Sequence, residues 1–273
     1  MLLAIDIGNT TISIGMIRKT HKPWDPEIIS VEPIETTLSP AALQKKIKQR
    51  LAALIRRYHV QDIVICSVVP AALKILKRIL REDFKIKPMV VGEDILVPMK
   101  NHYRNPSQVG QDRLVCSFAG RQLYGGPLIV IDFGTAITFD VVSKKGEYLG
   151  GIILPGIRLT AESLSKKTAL LPKVKIKTPR ELIGRDTKSS ILSGIFYGFG
   201  ALCDGLIVLI SKELKCRPEI IATGGYSHWM KKFISQNPLR VDPRLVFKGM
   251  HFLLALPNSG CQPFCVSRRG KKT

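Results

Sequence analysis

A carboxylate, a glycine and two small polar residues end the first apolar run of the chain. Leu2–Ile5 is β-forming; Asp6-Ile7-Gly8-Asn9-Thr10 follows it, and then comes a second alternating run, Thr11–Ile17. This pattern predicts a β-hairpin with a tight turn. Gly8 lets backbone N–H groups approach an anion, the next two side chains add donors, and Asp6 is able to hold a hydrated Mg²⁺. The turn suits phosphate, although an ordinary hairpin turn has the same composition.

The same pattern occurs a second time, half a chain later. Leu128–Asp140 contains an apolar run, the turn Asp132-Phe133-Gly134-Thr135-Ala136, and another β-forming run. An internal repeat of this size indicates a duplicated domain. Two such turns facing each other across a cleft would grip the two ends of a nucleoside triphosphate. The pattern resembles the phosphate clamp of the actin, hexokinase and Hsp70 class of ATP-using proteins.

The strands and helices around the two turns are predicted to follow one another in the same order. The first half reads β-β-β-α-β-α-β, with a helix over Pro40–Tyr58 and a buried strand over Asp62–Val69. The second half repeats this order and ends with a helix over Pro243–Leu256. We therefore expect an α/β protein of two ribonuclease-H-like domains, 1–117 and 118–257, with the active site in the cleft between them. Residues 258–273 are expected to form a basic, disordered tail.

The amino-acid composition limits which binding partners and which cellular compartment we expect for the protein. The net charge is +21, but the basic residues are spread over several segments, without a helix-turn-helix, RNP or zinc-finger pattern. We therefore favour a general basic bias over a nucleic-acid site. No uninterrupted apolar run reaches the roughly 18 residues of a membrane span, and the N-terminus lacks the basic region of a signal peptide. The six cysteines lack zinc-ligand spacing, so we expect reduced thiols in a cytoplasmic protein.

An acid and a base stand side by side at the start of a predicted helix. In Gly110-Gln111-Asp112-Arg113 the helix begins near Gln111, and it ends at Gly125-Gly126-Pro127. In a two-domain protein, Asp112 and Arg113 would face the cleft. Alternatively, Asp112 only interacts favourably with the helix dipole and Arg113 is solvated; the spacing does not decide. At a helix start the pKa of Asp112 is expected to be lowered.

Five motifs in this order resemble the type III pantothenate kinases, over nearly the whole chain from Met1 to about Asn258. They are Asp6-Ile7-Gly8-Asn9-Thr10, Gly110-Gln111-Asp112-Arg113, Asp132-Phe133-Gly134-Thr135-Ala136, Gly150-Gly151-Ile152-Ile153-Leu154-Pro155-Gly156 and Thr223-Gly224-Gly225. The resemblance implies ATP-dependent phosphorylation of pantothenate, the first step of coenzyme A biosynthesis. The alternative is a non-catalytic relative that acts as a transcriptional accessory or nucleic-acid-binding factor.

The resemblance also implies roles for individual residues. Asp112 is the general base, and Asp6 holds Mg²⁺ through water. The second turn supplies a monovalent cation site, for K⁺ or NH₄⁺, at Asp132. The ATP contacts are Asp6, Ile7, Gly8, Asn9, Thr10, Thr11, Ile12, Ser13 and Thr135. The pantothenate contacts are Tyr103, Gly110, Gln111, Asp112, Arg113 and Thr187. Gln111 stands where a small residue is usual, which bears on the shape of the pocket.

A long predicted helix, Ser189–Leu214, carries small residues at a spacing that permits close packing: Gly194, Gly198, Ala201 and Gly205. Such a face packs equally well inside a monomer or against a second copy. The resemblance implies a homodimer whose pantothenate pocket lies at the subunit interface. Its expected partners are therefore pantothenate, ATP and a second copy of the chain, and neither a membrane nor nucleic acid.

Overall fold

The computed structural model describes residues 1–18, 20, 26–36, 39–236 and 238–255. Its strands form two five-stranded sheets, and the packing divides the described chain into two units. The first unit contains residues 1–99, 104–124 and the helix that begins at 245. The second contains residues 100–103 and 125–244. The predicted tail, 258–273, lies outside the described residues.

The sheet of the first unit is organised around its first strand. Its strands are β1 (Leu2–Ile7), β2 (Thr11–Arg18), β3 (Glu27–Glu35), β4 (Asp62–Ser67) and β5 (Met89–Val90), in the order β3-β2-β1-β4-β5. β1 pairs antiparallel with β2 and parallel with β4. Its apolar side chains are fully buried, because a central strand covered on both faces is apolar almost throughout. Helices α1 (Pro40–Arg57) and α2 (Pro70–Glu82) pack apolar stripes onto this core.

The second unit repeats the strand order of the first. Its strands are β6 (Leu128–Phe133), β7 (Ala136–Val142), β8 (Tyr148–Pro155), β9 (Glu219–Thr223) and β10 (Leu239–Val241), in the order β10-β9-β6-β7-β8. In each sheet the third, second, first, fourth and fifth strands therefore lie side by side. Its helices are α4 (Ile157–Lys167), α5 (Thr187–Glu213) and the short α6 (Ser227–Met230). The predicted α/β class and duplicated order are confirmed.

Two helices that the sequence predicts outside the repeated order belong together in the first unit. They are α3 (Gln111–Tyr124) and α7 (Leu245–Ala255). A Cβ added to Gly249 of α7 would lie 2.5 Å from Val115 of α3, and one added to Gly15 of β2 would lie 2.6 Å from Phe247. Helix α7 thus packs against the sheet to which the N-terminal strand belongs. The contiguous domain bounds 1–117 and 118–257 stay a prediction, whereas packing groups residues 118–124 and α7 with the first unit.

By length and composition α5 is able to cross a membrane, with a mean hydropathy of 1.8 over an 18-residue window. No run free of polar residues reaches this length in α5, since Ser193, Asp204 and Ser211 interrupt it, but the mean hydropathy of the window stays high. The core helix of a globular domain passes the same test. Five of its residues are buried in the core of the second unit: Ile191, Ile195, Phe196, Cys203 and Ile207. The face of α5 that packs into this core therefore supplies much of the helix's apolar character.

Candidate active site

The predicted turn after β1 is present and is held by the end of β3. Gly8 N donates to Thr11 O at 3.0 Å, which closes the turn. Thr36, just beyond β3, donates from its side chain to Gly8 O at 2.9 Å and from its backbone to Thr10 O at 2.9 Å. Asp6 precedes the turn on β1, opposite Cys66 of β4. The local pattern therefore places one carboxylate at the edge of a fixed, glycine-containing loop.

Asp112 lies in the first turn of α3, and its carboxylate folds back over the preceding glycine. Asp112 Oδ1 accepts a hydrogen bond from Arg113 N at 2.8 Å. The same oxygen is 2.5 Å from the place that a Cβ on Gly110 would occupy. Any side chain at Gly110 would therefore displace the Asp112 carboxylate. This steric conflict explains why the motif has a glycine at that position.

The pKa of Asp112 is raised above its ordinary value, so the expected lowering is wrong. Loss of water around the carboxylate is the largest cause, and it exceeds the opposing hydrogen bond and positive charge of Arg113. Position at a helix start can be seen in the sequence, whereas the degree of burial depends on the fold. A raised pKa makes the carboxylate a stronger base than an exposed aspartate.

The buried thiol of Cys66 is influenced by the negative charges of two site carboxylates, Asp6 and Asp112. Burial raises the pKa of the Cys66 thiol well above its usual value, and the charges of Asp6 and Asp112 raise it further. The thiol is therefore protonated and contributes no third negative charge. Its response to both aspartates indicates that they share one region of the unit. The sequence does not reveal this contact, because it depends on the parallel pairing of β1 with β4.

Gln111, the unusual residue of the motif, is accommodated by a glycine elsewhere in the first unit. Gly92 has φ +89, and a Cβ built on it would lie 2.7 Å from Cδ of Gln111. The glutamine side chain thus lies against bare backbone at the turn after β5. A left-handed conformation and the close contact both require glycine there. The larger side chain at position 111 is therefore accommodated by the absence of a side chain at Gly92.

Three of the five motifs meet in the second unit. Asp132 of β6 is opposite Thr223 of β9, and the next residue, Gly224, has φ +84. A Cβ on Gly224 would lie 2.1 Å from Asp132 Oδ1. On the other side of the turn, Gly156 N donates to Thr135 O at 3.0 Å. The structure thus brings the second aspartate turn together with both glycine motifs that follow it.

Tyr103 and Thr187, the other two pantothenate contacts implied by the resemblance, also lie in the second unit. The ring of Tyr103 is beside Gly150, whose added Cβ would be 3.8 Å from Cδ2 of the tyrosine. Thr187 is the exposed first residue of α5. It is positioned by a capping box, in which Asp186 Oδ1 accepts from Ser189 N at 2.9 Å.

The implied site residues therefore form two sets. Asp6, the phosphate loop and residues 110–113 belong to the first unit, whereas Tyr103, Asp132, Thr135 and Thr187 belong to the second. Among the described residues, no group of three or more His, Cys, Asp or Glu side chains could hold a metal ion. A single carboxylate together with nucleotide phosphates is, however, a usual set of ligands for Mg²⁺. Asp6 fits that role.

Solved structures share the fold at low sequence identity. A Campylobacter jejuni protein described as a conserved member of the Baf family of transcriptional activators gives a TM-score of 0.56 at 20% identity, covering 93% of this chain and 97% of that one. A Streptomyces griseus ROK family glucokinase, in complex with glucose and AMPPNP, gives 0.54 at 11% identity, covering 92% and 98%. These likenesses show a two-domain, actin-like ATPase fold.

Sequence relatives have higher identity than these structures and cover most of the chain. A type III pantothenate kinase from Sulfurihydrogenibium sp. is 39% identical over 261 residues, which are 93% of this chain and 99% of that protein. Another, from Citrifermentans bemidjiense, is 41% identical over 225 residues, which are 82% of this chain and 87% of that protein. The family model described as type III pantothenate kinase matches residues 2–208. On this evidence, the chain belongs to the type III pantothenate kinase family.

Proposed function

We propose that this protein transfers the γ-phosphoryl group of ATP to the primary hydroxyl of pantothenate, the first step of coenzyme A biosynthesis. The proposal rests on one observation above all: the Asp112 carboxylate, whose pKa is raised, lies against Gly110 in a motif that keeps its glycine, aspartate and arginine. The test is purified protein with ATP, Mg²⁺ and pantothenate, assayed for ADP release. ADP should form in equal amount with phosphorylated pantothenate. Release that does not depend on pantothenate would contradict the proposal.

The described residues match the needs of phosphoryl transfer. The reaction requires positioning of the two reactants, neutralisation of phosphate charge and a carboxylate near the attacking hydroxyl. Asp6 would bind the hydrated Mg²⁺ that accompanies ATP, while the loop 6–13 and Thr135 would hold phosphate oxygens. Asp112 would accept the hydroxyl proton, and Arg113 would add positive charge. Tyr103, Gly110, Gln111 and Thr187 would complete the pantothenate pocket.

The non-catalytic alternative is not favoured. A relative that had lost activity would be free to lose its acidic site residues, but Asp6, Asp112 and Asp132 are all present. The curated relatives that match most of the chain carry the kinase name. We also propose a cytoplasmic location, where ATP is available. Among the described cysteines, Cys66, Cys203 and Cys216 are free thiols, as expected in a reducing compartment.

We expect activity to depend on K⁺ or NH₄⁺ bound at Asp132. A monovalent cation beside the triphosphate would offset charge that Mg²⁺ alone leaves exposed. Replacing K⁺ with Na⁺ at constant ionic strength should raise the KM for ATP several-fold or lower the rate. Asp132→Asn is the matched control, because it should be slow in both salts. Equal wild-type kinetics in K⁺ and Na⁺ would contradict a selective site.

We expect a homodimer that uses the outer face of α5. A Cβ added at Gly194, Gly198 or Gly205 meets no described atom within 4 Å, and Val208 and Leu209 on the same side are 40% and 60% exposed. Small residues let a second helix approach closely. Sedimentation at micromolar concentration should give twice the chain mass of 30.3 kDa. Gly198→Arg should give a monomer, and a fully active wild-type monomer would contradict the expectation.

A further inference from the structure

Residues 100–103 run beside the start of β8 as a short added strand. His102 N donates to Tyr148 O at 2.9 Å, and Tyr148 N donates to Lys100 O at 2.9 Å. Asn101 and Tyr148 form a parallel bridge. Both chain neighbours of this segment belong to the first unit, yet its own contacts place it in the second. A segment of four residues has little core of its own, so its position depends on these contacts.

A glutamate directly before β8 adds charge pairs to the same segment. Glu147 Oε1 lies 3.4 Å from Lys100 Nζ and 3.4 Å from His102 Nε2. The hydrogen bond from His102 and the charge of Lys100 lower the pKa of Glu147. Ser143 Oγ donates to the second carboxylate oxygen at 3.4 Å. The Glu147 carboxylate thus contacts two side chains of the segment, Lys100 and His102, which lie on the same side of it.

Tyr148, whose backbone pairs with this segment, is held at its side chain by a buried carboxylate. Tyr148 is fully buried, and its hydroxyl donates to Asp140 Oδ1 at 2.7 Å. Thr138 Oγ1 donates to Asp140 Oδ2 at 3.1 Å. Asp140 itself is 1% exposed. A buried carboxylate needs hydrogen-bond donors to replace the water that it loses on folding. The two printed hydrogen bonds to Asp140 fix the direction in which the Tyr148 ring points.

These contacts converge on the ring of Tyr103. The backbone N–H of Tyr103 donates to Asn101 Oδ1 at 2.9 Å. Its ring centroid lies 6.5 Å from that of Tyr148, at 43°. A register shift between Val141 and Val142 marks a bulge in β8 between Tyr148 and Gly150. A bulge redirects neighbouring side chains, and here Gly150, with φ +132, offers bare backbone to the Tyr103 ring.

We propose that Asp140, Glu147 and Tyr148 are positioning residues, which fix residues 100–103 and thereby set the Tyr103 ring in the pantothenate pocket. Each acts through Tyr103 and none contacts substrate. The inference rests on the proposed function, since Tyr103 is the residue that meets pantothenate. It assigns the three residues to recognition of pantothenate and not to the use of ATP.

Tyr148→Phe tests the proposal, because it removes one hydroxyl and keeps the buried ring. The KM for pantothenate should rise about tenfold, as expected for a misplaced substrate contact, while the KM for MgATP stays the same. Glu147→Gln should give a smaller rise, because that pair is partly exposed. Tyr197→Phe is the matched control, since it removes a hydroxyl elsewhere in the second unit, and should leave both constants unchanged.

Two further measurements separate positioning from general structural support. In a Tyr103→Ala background, Tyr148→Phe should have no additional effect on the KM for pantothenate. An equal rise in both backgrounds, or equal changes in both substrates' constants, would overturn the proposal. Trypsin cleavage after Lys100 should be faster in Tyr148→Phe than in wild type, and unchanged cleavage would also overturn it. If the wild type released no ADP with pantothenate, the proposed function would fail, and the cleavage rates would still decide the positioning.

Discussion

Replacing Asp112 with Asn should lower kcat about 10²–10⁴-fold, or about 3–5 kcal/mol of barrier. The amide keeps the shape of the carboxylate, and its oxygen is still able to accept the hydrogen bond from Arg113 N that the structure shows. It cannot, however, accept the proton of the attacking hydroxyl. The KM for pantothenate should therefore change much less than kcat. Steady-state kinetics with each substrate varied in turn would measure both.

The raised pKa of Asp112 makes the expected loss separable from unfolding. A carboxylate whose pKa is raised on folding stabilises the folded state when protonated, and that contribution is lost as the pH rises through the folded pKa. At neutral pH the wild type bears this cost, and Asp112→Asn does not. The melting temperature of the variant should therefore be equal or higher, although its activity is lost. The acidic limb of the wild-type kcat/KM profile should lie above the pKa of an exposed aspartate, about 3.9.

More than a tenth of wild-type kcat in folded Asp112→Asn would contradict its role as the base. Asp6 would then be the leading candidate. Asp6→Asn is otherwise expected to show a different defect, namely weaker use of MgATP with partial rescue by added Mg²⁺ or Mn²⁺. This contrast distinguishes a group that acts on the hydroxyl from one that acts on the metal and phosphates.

Gly224→Ala should abolish most of the activity and destabilise the protein, whereas Gly225→Ala should do neither. At Gly224 the added methyl would lie 2.1 Å from Asp132 Oδ1 and 2.8 Å from the backbone of Phe133, at φ +84. The left-handed conformation costs about 1–2 kcal/mol, and crowding of a packed site costs about 1–3 kcal/mol. At Gly225 an added Cβ meets no described atom within 4 Å. Adjacent glycines thus provide a matched pair.

Thermal denaturation and ATP titration of the two variants would check this expectation. If the proposed role of Asp132 holds, Gly224→Ala should also weaken the preference for K⁺ over Na⁺, because the methyl displaces the carboxylate. Equal stability and equal kinetics in the two variants would show that the Thr223–Gly225 turn yields easily. The tight contact between that turn and β6 would then contribute neither to activity nor to stability.

The sequence predicts those parts of the molecule that depend on local composition and periodicity within short segments. The Asp6 and Asp132 turns, the duplicated strand order and the helix start at Gln111 all follow from local composition and period. The raised pKa of Asp112 does not, because desolvation depends on what covers a residue and not on its neighbours in the chain. The contact of Gln111 with Gly92 and the pairing of residues 100–103 with β8 depend likewise on tertiary packing.

The return of α7 to the first sheet has a consequence for synthesis on the ribosome. Chains usually complete their N-terminal domain first, while the remainder is still being made. Here β1 and β2 are among the first residues to emerge, yet part of their cover, Phe247 and the rest of α7, emerges close to the end of the described chain. The segments of the second unit, 100–103 and 125–244, are all translated before it. The unit that starts first is therefore completed last, and its apolar sheet must wait partly uncovered until then.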